Sequence, residues 1–453
     1  MSSDNNRLSI KEKIGYGVGD TASCLYFQTF SMFLMFFYTD TFGISAAMVG
    51  TMFLVTRIWD TFNDPLMGMI ADRTNTRFGK FRPWILWMIL PYAITGVLTF
   101  LTPNLSTTAK LIYAYITYTL VTMAYTAINI PYGALMGVMT PNGDERTQLS
   151  SYRFIGAFSG NLIVQGTLIL LVAKLGGGND QLGYPLAIGL YAIIASGLWF
   201  FTFSSTKERI QPPKDQKTSI KGDLRDLLHN RPWLVLGLMG ILTLVWVSIR
   251  NAAMMYYFTY YVGDKTKAAA FMVVGTIFSL LGVSATTIIS RFLRGKKRTY
   301  IILSAANAIV TAIFFIARPT DFWIMYATHI VGSFIGGPLM PLTWSMYADT
   351  ADYAEWKFGR RATGLIFSAA TFSQKMGWTI GGAVAGWTLA AFDYQPNVPQ
   401  TQHTLVGIRL MMSILPAIGS LLVCAAAALY NLSEKYLEQI EKELKERRKS
   451  EEE

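Results

Sequence analysis

Apolar and polar positions divide the chain into about twelve apolar stretches of helical length joined by polar connections. The stretches run near 16–39, 45–70, 83–103, 109–139, 150–174, 183–204, 233–262, 268–292, 299–317, 321–347, 363–392 and 404–431. Most reach the roughly 20 residues that a helix needs to cross a bilayer. The pattern predicts an all-α membrane protein. Residues 1–13 are polar, and the first apolar stretch is too long for the core of a cleavable signal peptide.

The connections carry an uneven charge. Arg73, Arg77, Lys80 and Arg82 lie on one side. With them come Lys207 to Arg225 of the middle loop, then Arg291, Arg294, Lys296, Lys297 and Arg298, then Lys357, Arg360 and Arg361. The opposite side holds little more than Lys110, Lys174, Lys265, Lys267 and Arg318. Positive loops stay in the cytoplasm, so both termini are expected there, in the inner (cell) membrane.

The polar loop after the sixth stretch contains Pro212-Pro213 and splits the chain evenly. The expected organisation is a six-helix half over 1–204, a middle loop over 205–232, a second six-helix half over 233–432 and a charged tail over 433–453. The halves echo each other. Met35 to Thr39 is answered by Met255 to Thr259, and Gly79-Lys80 by Gly295-Lys296, both about 220 residues on. Two six-helix units rocking about a central site form the architecture of major facilitator transporters. In the tail, Leu437, Ile440 and Leu444 share one helical face ahead of a solvated charge run.

Composition agrees. Mean hydropathy is +0.34 and only 15% of residues are charged, where soluble domains carry about 25%. The net charge of +11 is explained by the loop bias, so nucleic acid is not an expected partner. Two cysteines and three scattered histidines form no metal motif. No nucleophile–base set suggests an enzyme. Gly15, Gly17 and Gly19 follow no strand and are not a nucleotide loop. Gly156/Gly160, Gly377/Gly381 and Gly382/Gly386 have the spacing that lets helices approach.

The second stretch carries the most informative chemistry. Arg57, Asp60, Asn63 and Asp64 share one helical stripe. A carboxylate at membrane depth costs roughly 2.5–3.5 kcal/mol on insertion scales, which favours a functional role. Two carboxylates one turn apart repel, and a bound cation relieves the repulsion. Asn63 and Thr126 offer further oxygen ligands, so the candidate cation site is Asp60, Asp64, Asn63 and Thr126, with Asp60 and Asp64 the candidate ligands where the ion is Na⁺ rather than H⁺. The plainer alternative is an Arg57–aspartate salt bridge, with Thr126 bonded to its own helix. Arg153, Arg250 and Lys375 are cations inside apolar stretches, suited to a cavity, although Arg153 is near enough to the edge to snorkel. Trp344 precedes a polar run and suits stacking on a sugar face. Tyr26, Tyr125 and Trp378 are weaker candidates of the same kind.

Longer motifs resemble one family. Ile58-Trp59-Asp60, Asn63-Asp64-Pro65, Gly68, Asp72 and Gly79-Lys80-Phe81-Arg82-Pro83-Trp84 are similar to the signature of the glycoside–pentoside–hexuronide:cation symporters. Tyr16 to Asp20, Asn129-Ile130-Pro131-Tyr132-Gly133 and Ala348 to Tyr353 with Glu355 extend the likeness over nearly the whole chain. The resemblance implies the major facilitator fold and sugars moved with Na⁺, Li⁺ or H⁺. It implies cation binding at Asp60 and Asp64, with Asn63 and Thr126 tied to that site, and cavity roles for Arg153 and Lys375. Asp20, Cys24, Asn129, Arg250, Trp344 and Thr371 complete the expected sugar contacts.

Cys24 and Asn129 stand where the melibiose-carrying branch has aspartates, and Gly133 where it has a tryptophan. The likeness is therefore nearer the xyloside and glucuronide branch. Retained cations without those carboxylates would tolerate an anionic uronide. The expected function is cation-coupled sugar symport by alternating access, with no cofactor beyond the coupling ion; a monomer suffices. The alternatives are a proton-coupled exporter and a lipid symporter on the same fold.

Overall fold

A computed structural model describes residues 8–140, 142–209, 225, 227–359 and 363–452. Most of the middle loop, with Pro212-Pro213, and the Arg360–Arg361 pair lie outside them. The chain separates into two compact units. One is Met1–Gln216 with Lys265–Ala270 and Tyr394–Val398; the other holds Lys217–Asp264, Phe271–Asp393 and Pro399–Glu453.

In the first unit the helices are α1 (Ile10–Phe36), α2 (Ala46–Arg73), α3 (Arg82–Thr99), α4 (Thr107–Met139), α5 (Gly143–Gly176) and α6 (Asp180–Ser205). Their starts follow local chemistry. Ser9 closes a capping box with Glu12, while Ser45, Ser106 and Asn179 accept N–H groups at the heads of α2, α4 and α6. Pro83 opens α3, as the sequence predicts. The glycines of α1 and α5 serve packing. A Cβ on Gly156 would stand 2.1 Å from the carbonyl oxygen of Gly17, and one on Gly160 would stand 2.8 Å from that of Thr21.

The second unit runs α7 (Arg231–Tyr256), α8 (Lys267–Phe292), α9 (Lys296–Ile313), α10 (Phe322–Gly336), α11 (Leu339–Phe358), α12 (Thr363–Ala391), α13 (Gln402–Met412), α14 (Ile414–Ala428) and α15 (Glu434–Glu452). It repeats the first in detail. α1 ends in a π-helical turn over Phe37–Thr41, and α7 ends in one over Tyr257–Val262. Gly79 and Gly295 both take positive φ, at 106° and 126°.

Two predicted spans differ from the structure. The tenth stretch is two helices parted at Gly337-Pro338, because Pro338 lacks an N–H and its ring clashes with the carbonyl four residues earlier. The second of these, α11, runs on to Phe358 and takes in Asp349, which the hydropathy pattern leaves outside the membrane stretch. The twelfth stretch breaks at Ser413, just ahead of Pro416, whose ring crowds the carbonyl of Met412. The apolar face of the tail helix packs inward. Ile440 is fully buried, and Leu437 and Leu444 nearly so, in the core of the second unit beside Tyr353 and Tyr430.

Among the described residues seven helices are long and apolar enough to span a membrane by length and composition. α2 is not one of them, and it is the helix that holds Arg57, Asp60 and Asp64.

Candidate functional site

The face of α2 that carries Ile58 and Trp59 is about half exposed. Asp60 is buried and Asp64 half-buried. Helical spacing thus turns the charged stripe inward. The Arg57 guanidinium lies 3.4 Å from Asp60 Oδ2. Thr126 of α4 donates its hydroxyl to Asp64 Oδ1 at 2.9 Å, so it is not confined to its own helix backbone. Asn63 Nδ2 is buried without a hydrogen-bond partner. The two ends of the amide differ only by a 180° turn, so either can be presented. The structure therefore brings Thr126 to Asp64. It also contains the Arg57–Asp60 pair of the plainer reading, and the two coexist.

A second group lies between α1, α4 and α5. Arg153 grips Asp20 with two hydrogen bonds, Nε to Oδ2 at 2.5 Å and an NH₂ nitrogen to Oδ1 at 3.2 Å. The Tyr132 hydroxyl stands 3.0 Å from Asp20 Oδ2 and 2.6 Å from the carbonyl oxygen of Tyr16. The guanidinium also lies over the rings of Tyr132, at 5.0 Å, and Tyr16, at 5.8 Å. Arg153 is thus anchored inward rather than snorkelling. Asn129 accepts from Ser23 at 2.8 Å and donates to the carbonyl of Tyr125. Cys24 is half-buried against Gly160.

In the second unit Trp344 is half-buried and lies parallel to Phe367 at 5.9 Å. Thr371 is exposed and gives its proton to the Phe367 carbonyl of its own helix at 3.0 Å. Lys375 is half-buried one turn further along α12. Arg250, near the end of α7, lies beside His329 of α10. Sequence reasoning overlooked Tyr132, Ser23 and His329 as partners. Only Tyr132 carried a signal, through its place in the Asn129 to Gly133 motif. No group of three or more His, Cys, Asp or Glu able to hold a metal ion occurs among the described residues. A monovalent ion at α2 would instead draw on two carboxylates, an amide and a hydroxyl.

Comparison with known proteins identifies the family and the fold. The inner membrane symporter YicJ of Escherichia coli (strain K12) is 40% identical over 93% of this chain and 92% of its own length. The putative glycoside/cation symporter YagG of the same organism is 36% identical over 97% of this chain and 95% of its own. The crystal structure of the nucleoside transporter NupG superposes with a TM-score of 0.65 at 16% identity. That match covers 94% of this chain and all of the other, a likeness of fold. The model of the family described as MFS/sugar transport protein matches residues 15–434. The chain has the major facilitator fold and is a multi-pass membrane transporter, not an enzyme; it belongs to the MFS/sugar transport family, among its glycoside–pentoside–hexuronide-type symporters.

Proposed function

We propose that this sugar transporter couples uptake of a glycoside, pentoside or hexuronide to a cation, Na⁺ or H⁺, bound at Asp60 and Asp64. The observation that carries the reading is the hydrogen bond from Thr126 to Asp64, which stands one turn from the buried Asp60 on the same stripe of α2. Two carboxylates one turn apart repel, and a bound cation removes the repulsion. The Thr126 hydroxyl then turns its lone pairs toward the ion, as Asn63 turns its carbonyl oxygen. Sugar and ion tighten each other by the same factor, since coupling between binding sites is reciprocal. Asp20 and Arg153, with Asn129 and Cys24, are the proposed sugar contacts of the first unit. Trp344, Thr371 and Lys375 are those of the second, with both termini on the cytoplasmic side. The name of YagG, a putative glycoside/cation symporter, supports the same reading.

Uptake of labelled glycosides into membrane vesicles, under an imposed Na⁺ gradient or an imposed proton gradient, tests it. Asp60→Asn and Asp64→Asn should each abolish accumulation against a gradient. Undiminished accumulation in both variants would refute the site.

A further inference from the structure

Arg250 is a guanidinium inside the second unit. Among the described residues no carboxylate reaches it. Its Nε is buried without a hydrogen-bond partner, although part of the side chain remains accessible. Its neighbours are aromatic. The guanidinium carbon lies 5.7 Å from the centre of the Phe314 ring, and an NH₂ nitrogen lies 3.5 Å from His329 Nδ1. His329 is fixed in turn. Its ring stacks on Phe271 at 3.8 Å with the planes 10° apart, and its Nε2 lies against Gly275, where a Cβ would come within 2.1 Å.

The direction of the Arg250 contact sets the tautomer. Arg250 has only protons to give, so Nδ1 of His329 accepts and Nε2 carries the hydrogen. The imidazole thus orients the guanidinium without neutralising it. A cation–π contact compensates only part of the desolvation of a buried charge. Among the described residues the cluster sets a guanidinium among aromatic rings with no negative charge beside it. This is how a site for an oxyanion is built, since the guanidinium fork matches a carboxylate through two parallel hydrogen bonds.

We propose that Arg250, held in place by His329, receives an anionic group of the transported sugar, so that the substrate class is an acidic glycoside such as a uronide. This rests on the sugar-symport reading and narrows it. Arg250 is the binding residue, and His329 is a positioning residue that acts through it.

The experiment uses the purified full-length protein in a chloride-free buffer. Calorimetric affinities are measured for an aryl β-glucuronide, for its methyl ester and for the matching aryl β-xyloside. The wild type should bind the free acid about tenfold or more tighter than the ester, the scale of one charge-assisted bidentate contact. Arg250→Gln should bring that ratio close to one, with the loss falling mainly on the free acid. Arg250→Lys should retain part of the ratio. His329→Asn should reduce the ratio without changing ester binding, which a merely structural role would not do.

A wild-type ratio near one, with ester and xyloside both bound, overturns the proposal while leaving sugar symport intact, and it needs no variant to fold. An unchanged ratio in Arg250→Gln also overturns it. If added chloride abolishes the ratio at millimolar concentration, the charge belongs to a resident halide and the proposal falls. Binding of none of the three compounds overturns the symport reading and this inference with it.

Discussion

Gly377 of α12 repeats Gly156 of α5 about 220 residues on, and each makes the same contact within its own unit. A Cβ at Gly156 would lie 2.1 Å from the Gly17 carbonyl oxygen; one at Gly377 would lie 2.6 Å from that of Ile241. Gly160 and Gly381 repeat the arrangement one turn further along, against the carbonyl oxygens of Thr21 and Val245. The neighbour is backbone in every case, so it cannot swing aside. Gly156→Ala and Gly377→Ala should each cost about 1–3 kcal/mol, the usual penalty of overpacking. Both should lower the unfolding midpoint of the detergent-solubilised protein. Gly133→Ala is the internal control, because nothing lies within 4 Å of a Cβ there.

The Thr126 hydroxyl separates a ligand from a spectator. It donates to Asp64 in this structure, and a bound cation would draw on its lone pairs instead. Thr126→Ala removes both contacts, whereas Thr126→Ser keeps them. Loss of one such contact is worth about 1 kcal/mol, or roughly fivefold in affinity. Half-saturation of uptake by the coupling ion should therefore rise about fivefold in Thr126→Ala and little in Thr126→Ser. An equal rise in both would mean that the methyl group, not the oxygen, matters.

Asp20 and Arg153 were both read from the sequence as sugar contacts, and the structure ties them to each other. Arg153 is 32% and Asp20 15% exposed at the side chain, so solvent screens the pair in part. Either single change leaves a partly buried charge without its partner. Asp20→Asn and Arg153→Gln should each destabilise by about 1–3 kcal/mol, and the double variant by clearly less than their sum. Additive losses in a thermal-unfolding cycle would show that the two side chains act independently.

The helices were legible because apolar runs of membrane length are dense in information. The charged stripe on α2 was legible because charge inside such a run is costly and therefore conspicuous. Partnerships across distance were not. Asp20 and Arg153 lie 133 residues apart, and Arg250 and His329 lie 79 apart; no local spacing announces either pair. The break before Pro338 was hidden because the residues around it stay apolar, so hydropathy runs through unchanged. The opposite error occurred at α11. Asp349, Asp352 and Glu355 read as the end of a span although the helix continues, since hydropathy marks the membrane and not the helix.

Glu208 is another feature that sequence reasoning passed over. Its two oxygens accept the backbone N–H groups of Lys80, at 2.8 Å, Phe81, at 2.8 Å, and Arg82, at 2.9 Å, and so close the head of α3. A carboxylate there also meets the positive end of the helix dipole. Glu434 holds the corresponding place in the second unit, accepting from Lys296 N at 2.6 Å. Glu208→Ala strands three donors, for a loss of about 2 kcal/mol, and Glu208→Gln should recover part of it. Thermal unfolding of the wild type and the two variants side by side checks this; a Gln midpoint equal to the wild type's would show that the negative charge contributes nothing, and one equal to the Ala variant's that a neutral acceptor recovers nothing.

The same unit predicts the consequence of altering its tail. α15 lays Leu437, Ile440 and Leu444 into the core, and Glu443 accepts from the Trp356 indole N–H at 2.6 Å. A helix bound only by solvated charges would tolerate any change on its apolar face. One with a fully buried isoleucine cannot, because truncation leaves a cavity that packed neighbours fill only in part. Ile440→Ala should therefore destabilise the protein by about 2–4 kcal/mol. Glu443→Gln, which can still accept the indole hydrogen, should cost under about 1 kcal/mol. If Ile440→Ala leaves the unfolding midpoint unchanged, the tail is not part of the folded second unit in solution. Protease accessibility of residues 433–452 in the intact protein would show the same thing directly, by early cleavage ahead of global unfolding.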